Sequence, residues 1–293
     1  MPTLEGARRL LTLVYGGPAN TTGVLAAVQD TGAQQVIARG IRGPAFPSRI
    51  TATAGGTAAD IKAIQVIIDG VAPGGEVIQE TLPAFTVNTA GTVTGAKVFA
   101  KVTSVTIPAH DGTGATTAIG QTGAPDGALT TGILAAVTDT GAQQVITTGL
   151  NQPDTPRNIT ATAGGTAADI KAIQVVVDGT NAEGVAIQET LPAFTVDTPG
   201  TVAGTKAFKT VTQVTIPAHD DTGATTAIGF GDVLGIGERL ARNTVNRAYL
   251  AEAVEATAPT VVVHATDLET NTFDLNTALN ETQVKLELVR TRS

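Results

Sequence analysis

The residues in this sequence best suited to chemistry come in pairs. Asp30-Thr31-Gly32 returns as Asp139-Thr140-Gly141. Aspartic proteases place one such triplet on each of two duplicated lobes, so that two carboxylates share a proton. The context here differs: the protease triplet follows an apolar strand, whereas Gln29 and Thr138 stand directly before these aspartates. Asp-Thr-Gly is also ordinary turn chemistry, because Asp can bond the backbone two residues on and Gly tolerates positive φ. A second pair, His110-Asp111 and His219-Asp220-Asp221, sets an imidazole beside carboxylates at equivalent places. A metal centre needs three or four converging ligands. Each copy offers one His on a turn-forming stretch, so a solvated turn is the expectation.

The remaining signals are weaker. Gly229-Phe230-Gly231 with Gly235 and Gly237 has neither the spacing nor the βαβ frame of a phosphate loop, and is expected to be a flexible hinge. Ser48, Ser104 and Ser293 are the only serines and none sits in a Gly-x-Ser-x-Gly elbow. Asn20-Thr21-Thr22 fits a glycosylation acceptor. Arg239, Arg242 and Arg247 are balanced by Glu238, Glu252 and Glu255, as on an interface or solvated face. No catalytic, cofactor-binding or metal-ligating residue is assigned. The expectation is a protein that is not an enzyme and uses no cofactor.

These pairs exist because the chain is duplicated. Residues 21–120 align with 130–229 at a constant offset of 109 without a gap, and 72 of the 100 aligned positions are identical. The least similar stretches are 41–49 against 150–158 and 71–77 against 180–186. Both are rich in Gly, Pro, Asn or Asp and read as surface loops, where divergence costs least.

Within a repeat the hydrophobic period is two. Ile173, Val175 and Val177 point one way. Val185, Ile187 and Leu191 share a face in the next run, with Ala186, Gln188 and Thr190 opposite, and 178–184 forms the hairpin loop between them. Further strands are expected at 143–147, 158–163, 211–216 and 224–228, about six per repeat, which suggests a small sandwich or barrel. Residues 166–169 and 204–209 could each form a helical turn. After Phe230 the chain is unique. There 238–255 reads as an extended connection or short helix, 260–264 and 284–289 as strands, and 272–276 as a third strand.

Composition agrees with β-structure and excludes several classes. The 293 residues are dominated by Ala, Thr and Val, with 33 Gly, 14 Pro and only 3% aromatic residues. Eighteen Lys and Arg against 26 Asp and Glu leave a net charge of −8 with no basic cluster, which argues against a nucleic-acid partner. Without cysteine there is no disulfide framework, thiol catalysis or zinc–thiolate site. The apolar runs fall far short of the roughly 18 residues that cross a bilayer, so no membrane partner is expected. The first residues do not read as a signal peptide.

The fold expected is all-β, with two tandem homologous β-sandwich-like domains and a β-rich C-terminal segment with an extended arm. In residues, that is an N-terminal arm over 1–20, repeats over 21–120 and 130–229 joined by a linker over 121–129, and a C-terminal arm and β-segment over 230–293. The two terminal arms are expected to order on neighbouring subunits.

Several stretches of the second repeat and the tail resemble a recurring β-domain of tailed-bacteriophage virion proteins. They are Pro156-Arg157-Asn158-Ile159-Thr160-Ala161-Thr162-Ala163-Gly164, then Ile187-Gln188-Glu189-Thr190-Leu191, then Lys206-Ala207-Phe208-Lys209-Thr210-Val211-Thr212-Gln213-Val214-Thr215-Ile216-Pro217. Asn243-Thr244-Val245, Glu255-Ala256-Thr257-Ala258-Pro259-Thr260-Val261, Leu268-Glu269-Thr270-Asn271-Thr272 and Leu275-Asn276-Thr277-Ala278-Leu279-Asn280 continue the pattern. The resemblance covers roughly 150–285 and, through the duplication, 40–120. Members of that family carry one copy of the repeat before the tail, so the second copy is a departure, and the family supplies no active-site residues. The resemblance implies a virion component made in the host cytoplasm, most simply a capsid decoration protein. Its partners would be itself, as a trimer or similar small oligomer, and the major capsid protein. A tail-tube subunit is the alternative within that class. A fibre module binding receptor glycans through loops 41–49 and 71–77 is another, although a chain without Trp is poorly equipped to stack on sugars.

Overall fold

The computed structural model describes residues 8–291. The chain divides into two compact units: Gly16–Ala124, and a second drawn from Met1–Tyr15 together with Pro125–Ser293. The first strand, β1 (Arg8–Tyr15), belongs to the second unit.

The Gly16–Ala124 unit holds β2 (Asn20–Gln29), β3 (Gln35–Ile37), β4 (Ser48–Gly56), β5 (Ile67–Val71), β6 (Val77–Thr81), β7 (Gly91–Phe99), β8 (Lys101–Ile107) and β9 (Ala115–Gln121). Their period of two buries Ile50, Ala52 and Ala54 on β4 and Val105 and Ile107 on β8, where a register shift against β5 brings Val102 to the buried side as well. Two four-stranded sheets result, ordered β2-β9-β4-β7 and β3-β8-β5-β6. Counted from the unit's own first strand, this is 1-8-3-6 facing 2-7-4-5, the order of a jelly roll. One core fills the space between the sheets, centred on Ile50, Ile61, Ile68, Phe99, Val105 and Ile119.

The second repeat adopts the same plan. Its strands are β10 (Leu129–Thr138), β11 (Gln144–Ile146), β12 (Arg157–Gly165), β13 (Val176–Thr180), β14 (Ala186–Thr190), β15 (Gly200–Phe208), β16 (Thr210–Ile216) and β17 (Ala224–Gly235). One sheet is β11-β16-β13-β14; the other contains β15-β12-β17 with β10 on β17. Here β17 outruns its counterpart β9 and carries the sheet into the tail, made of β18 (Val245–Leu250), β19 (Ala253–Val254), β20 (Thr260–Val262), β21 (Thr272–Asp274) and β22 (Val284–Thr291). β21 pairs with β17 and β20 with β21, while β1-β22-β18-β19 forms a separate sheet. A core of Tyr15, Leu234, Ile236, Leu240, Phe273 and Leu286 lies within this part.

Several expectations change. Each repeat has eight strands rather than six, because β10 and β15, with their counterparts β2 and β7, are strands as well. The 3₁₀ turn Ala167–Asp169 lies inside the stretch expected to turn. Residues 204–209 instead lie mostly in β15, where pairing with β12 overrides local preference. Val185 is exposed rather than sharing the buried face of Leu191, since it sits in the turn between β13 and β14. Residues 238–255 form β18 and β19 with no helix.

The termini are not free arms over their described lengths. Residues 1–7 lie outside the described residues, but β1 pairs with β22 over eight consecutive positions. Leu11, Leu13 and Tyr15 pack against the tail core, and that alternation is what holds the segment down. Likewise the described part of the tail, 230–291, is a packed body with a core of its own. Of the 121–129 linker, Gln121 still lies in β9 and Leu129 already in β10.

One turn carries visible strain. β18 and β19 are joined by Ala251 and Glu252, both at positive φ (50° and 68°), a conformation that hairpin turns normally reserve for Asn and Gly. Ala251→Asn is expected to stabilise the protein by roughly 1 kcal/mol, read as a higher urea midpoint with an unchanged slope.

Candidate functional site

The two sequence signals converge in a way their spacing did not reveal: within each repeat, the Asp-Thr-Gly aspartate meets the His-Asp histidine. Asp30 Oδ1 accepts the His110 backbone N–H at 3.0 Å, and Oδ2 accepts that of Gly32 at 2.8 Å. The His110 ring accepts the Lys62 N–H at Nδ1 (3.2 Å) and meets Thr117 Oγ1 at Nε2 (3.0 Å). Phe85 stacks on the imidazole with centroids 6.1 Å apart and planes inclined by 23°. The second repeat repeats every contact. Asp139 accepts from His219 at 3.1 Å and from Gly141 at 2.8 Å. His219 bonds Lys171 N at 3.2 Å and Thr226 Oγ1 at 2.9 Å, and stacks with Phe194 at 5.9 Å.

The positions of these partners explain the arrangement. In a jelly roll the chain crosses between sheets four times at one end: β2 to β3, β4 to β5, β6 to β7 and β8 to β9. Asp30, Lys62, Phe85 and His110 lie one in each crossing. A single histidine therefore joins all four, its backbone N–H to Asp30 and its ring to Lys62 N and Phe85, and His219 does the same for β10 to β17.

That geometry settles the protonation state. Nδ1 faces a backbone N–H, so it must be the acceptor, and the ring proton sits on Nε2. A proton added to Nδ1 would oppose the Lys62 N–H. Burial holds His110 and His219 below their ordinary value of 6.5, against the upward pull of Asp30 and Asp111, and of Asp139 and Asp220. Lys62–Asp111 and Lys171–Asp220, each at 3.3 Å, are exposed pairs flanking the site and contribute little. Both oxygens of each buried aspartate accept backbone N–H groups, unlike a carboxylate held ready to share a proton. The expected solvated turn is corrected: Asp30 and His110 are 5% and 6% exposed. Among the described residues, no three His, Asp or Glu side chains are grouped to hold a metal ion.

The other candidates are also structural. Gly229 to Gly235 lie within β17, so the expected hinge is a continuous strand. A Cβ on Gly229 would fall 1.8 Å from Leu129 O. Ser104 donates to Asp69 at 2.6 Å, Ser48 is buried at the start of β4, and Ser293 lies outside the described residues. Asn20 accepts the Thr22 N–H at 3.1 Å. Arg239 pairs with Glu183 at 3.0 Å and donates to Thr266 O.

Sequence reading missed Arg157. Fully buried, it donates from Nε to Gly231 O (2.8 Å), from Nη1 to Asp154 Oδ1 (3.1 Å) and from Nη2 to Asp126 O (2.9 Å). Its guanidinium lies 4.4 Å from the Phe230 ring centroid and 3.6 Å from Asp232 Oδ1. Asp154 Oδ2 accepts the Asp126 N–H at 2.6 Å. Burial raises Asp154 and Asp232 above the ordinary carboxylate value, while Arg157 pulls both down. The divergent 150–158 stretch is therefore no surface loop. In the first repeat Ser48, Ala45 and Gln121 replace Arg157, Asp154 and Phe230. There a hollow of about 260 Å³ opens between Asn20, Gly23, Gly43, Ala45, Phe46 and Gln121. Asn181, in the other divergent stretch, is buried too, and its amide reaches Glu269 of the tail at 3.3 Å.

No protein-family model matches this chain, and no curated protein matches it in sequence. A solved structure described as "The Triple Jelly Roll Fold and Turret Assembly in an Archaeal Virus" is similar over 94% of this chain and 89% of that chain. Its TM-score is 0.27 and its identity 9%, a level of likeness that assigns no function here.

Two outcomes follow. Folding withdraws protons from His110 and His219, so the unfolded chain binds more protons between their lowered folded values and 6.5. Stability therefore rises with pH through that window and is lost on acidification. The urea midpoint should fall from about pH 7 to about pH 5; the double variant His110→Gln/His219→Gln should start lower and show a flatter dependence. Separately, Arg157→Met should cost about 3–5 kcal/mol by stranding Asp154. Adding Asp154→Asn should recover part of that loss, a non-additivity read from a double-mutant cycle.

Proposed function

We propose that this chain is a structural component of a virus particle, acting as a decoration protein on the exterior of a tailed-phage capsid and catalysing no reaction. The observation that carries the reading is that both copies of the Asp–His pair are committed to joining sheet crossings, with every ring nitrogen and carboxylate oxygen occupied from within the repeat. Jelly rolls recur in viral capsid, lectin and cupin domains, and the resemblance of 150–285 to virion β-domains favours the first of these. The acidic net charge of −8 fits a protein that sits outside the packaged genome. On this reading the chain is made in the host cytoplasm, assembles with itself and the major capsid protein, and needs no cofactor.

Immunogold microscopy of purified particles, with antibody against residues 266–282, tests this. Label spread over the heads is expected. Label along the shaft would make the chain a tail-tube subunit, and label at the tail tip a fibre module. Absence of the chain from purified particles by mass spectrometry would overturn the virion reading itself.

A further inference from the structure

β1 is the one long strand whose outer edge is regular and open among the described residues. It ends the β1-β22-β18-β19 sheet and pairs with β22 from Arg8 to Tyr15 without a register shift. The other edges are guarded in the ways natural sheets guard them. β3, β11 and β20 have three residues each and β19 two. β2 and β10 are each interrupted by two register shifts. On β7, the Ala96 and Lys97 amides already donate to the Glu80 carboxylate. On β15, those of Thr205 and Lys206 donate to Glu189. β6 and β14 run only five residues and carry those same glutamates. β1 has no proline and no charge after Arg9, and Leu10 and Val14 are 54% and 55% exposed.

We infer that β1 is a self-association edge, on which two copies of this chain pair β1 to β1, antiparallel, about a two-fold axis through Thr12. The strand's own sequence selects this partner and register. With Thr12 opposite its symmetry mate, the exposed Leu10 of one copy meets the exposed Val14 of the other. On the inner face Leu11 meets Leu13, so the half-buried members of both tail cores cover one another. Cross-strand pairs of this kind are the unit of sheet stabilisation. Arg9 of the two copies would stand about 20 Å apart along the strands, whereas a parallel pairing would set them side by side. Glu287, opposite Thr12 on β22, would lie about 14 Å from its mate across three strand spacings, beyond the ~10 Å screening length at 0.1 M salt. A two-fold pairing of this kind is closed, because it consumes the open edge of both copies. The inference does not rest on the virion reading, and either can fail alone.

The chain has no cysteine, which makes the test direct. Thr12 is exposed, and facing strand positions stand about 4.5–5.5 Å apart at Cα, within disulfide reach. Under mild oxidation Thr12→Cys should run as a covalent dimer on a non-reducing gel, at a concentration where Val185→Cys, an exposed control in the β13–β14 turn, stays at least tenfold less cross-linked. In sedimentation equilibrium, Leu10→Lys/Val14→Lys should shift the unmodified dimer to monomer while leaving the circular-dichroism spectrum unchanged. Cross-linking of Thr12→Cys no better than the control would overturn the pairing. So would a wild-type monomer at high concentration, or a dimer that persists in the double-lysine variant.

Discussion

Each jelly roll depends on keeping one histidine neutral and dry. The topology sends the chain between sheets four times at one end, and such crossings cannot satisfy their own backbone groups as a ladder does. Asp30, Lys62 N, Thr117 and the Phe85 ring complete the surroundings of His110, and Asp139, Lys171 N, Thr226 and Phe194 those of His219. Every one of these residue types is identical in the two copies. The arrangement uses the residues that catalysis would also use, but closes them off: a ring whose two nitrogens are engaged and a carboxylate saturated by backbone N–H groups have no atom left for a substrate.

Where the copies differ, the second repeat has taken on a further task. Arg157, Asp154 and Phe230 arise together in place of Ser48, Ala45 and Gln121, and they bind the incoming 126 backbone to the extended end of β17. From there β17 pairs with β21, Asn181 reaches Glu269, and Tyr15 donates its hydroxyl to Gly235 O and Ile236 O. A buried ion pair is poor at adding stability, because desolvation offsets its attraction. Its effect here is positional: a planar guanidinium with three directed donors accepts one geometry of the strand end. The first repeat has no tail to hold and leaves that space as the hollow beside Phe46.

Much of this was legible in the sequence, and the misses share one cause. Alternation of Ile173, Val175 and Val177 and of Val185, Ile187 and Leu191 marked a hairpin, although its turn lies at 181–185 rather than 178–184 and leaves Val185 exposed; the constant offset of 109 implied that whatever one copy built the other would build too. Sheet order was not legible, since neighbours such as β2 and β9 or β11 and β16 lie far apart in the chain and alternation does not name a strand's partner. Neither was the clamp, whose aspartate and histidine lie 80 residues apart. Arg157 was hidden because loop-like composition at 150–158 reads as exposure. The available signal was joint change: a cation, an anion and an aromatic ring appearing in one copy at positions that are small or neutral in the other. The 1–20 stretch reads in sequence as an arm that would order on a neighbouring subunit, because the strand within the same chain that β1 pairs with, β22, lies more than 250 residues away.

The central claim is that these histidines are structural and neutral, and their ring nitrogens report it directly. The chain has three histidines, so a long-range ¹H–¹⁵N correlation spectrum of the imidazoles can be read completely. The account predicts that His110 and His219 both show the Nε2–H tautomer at neutral pH and titrate below 6.5. Either ring carrying its proton on Nδ1, or titrating above 6.5, would contradict the clamp and reopen the Asp–His pair as a reactive site.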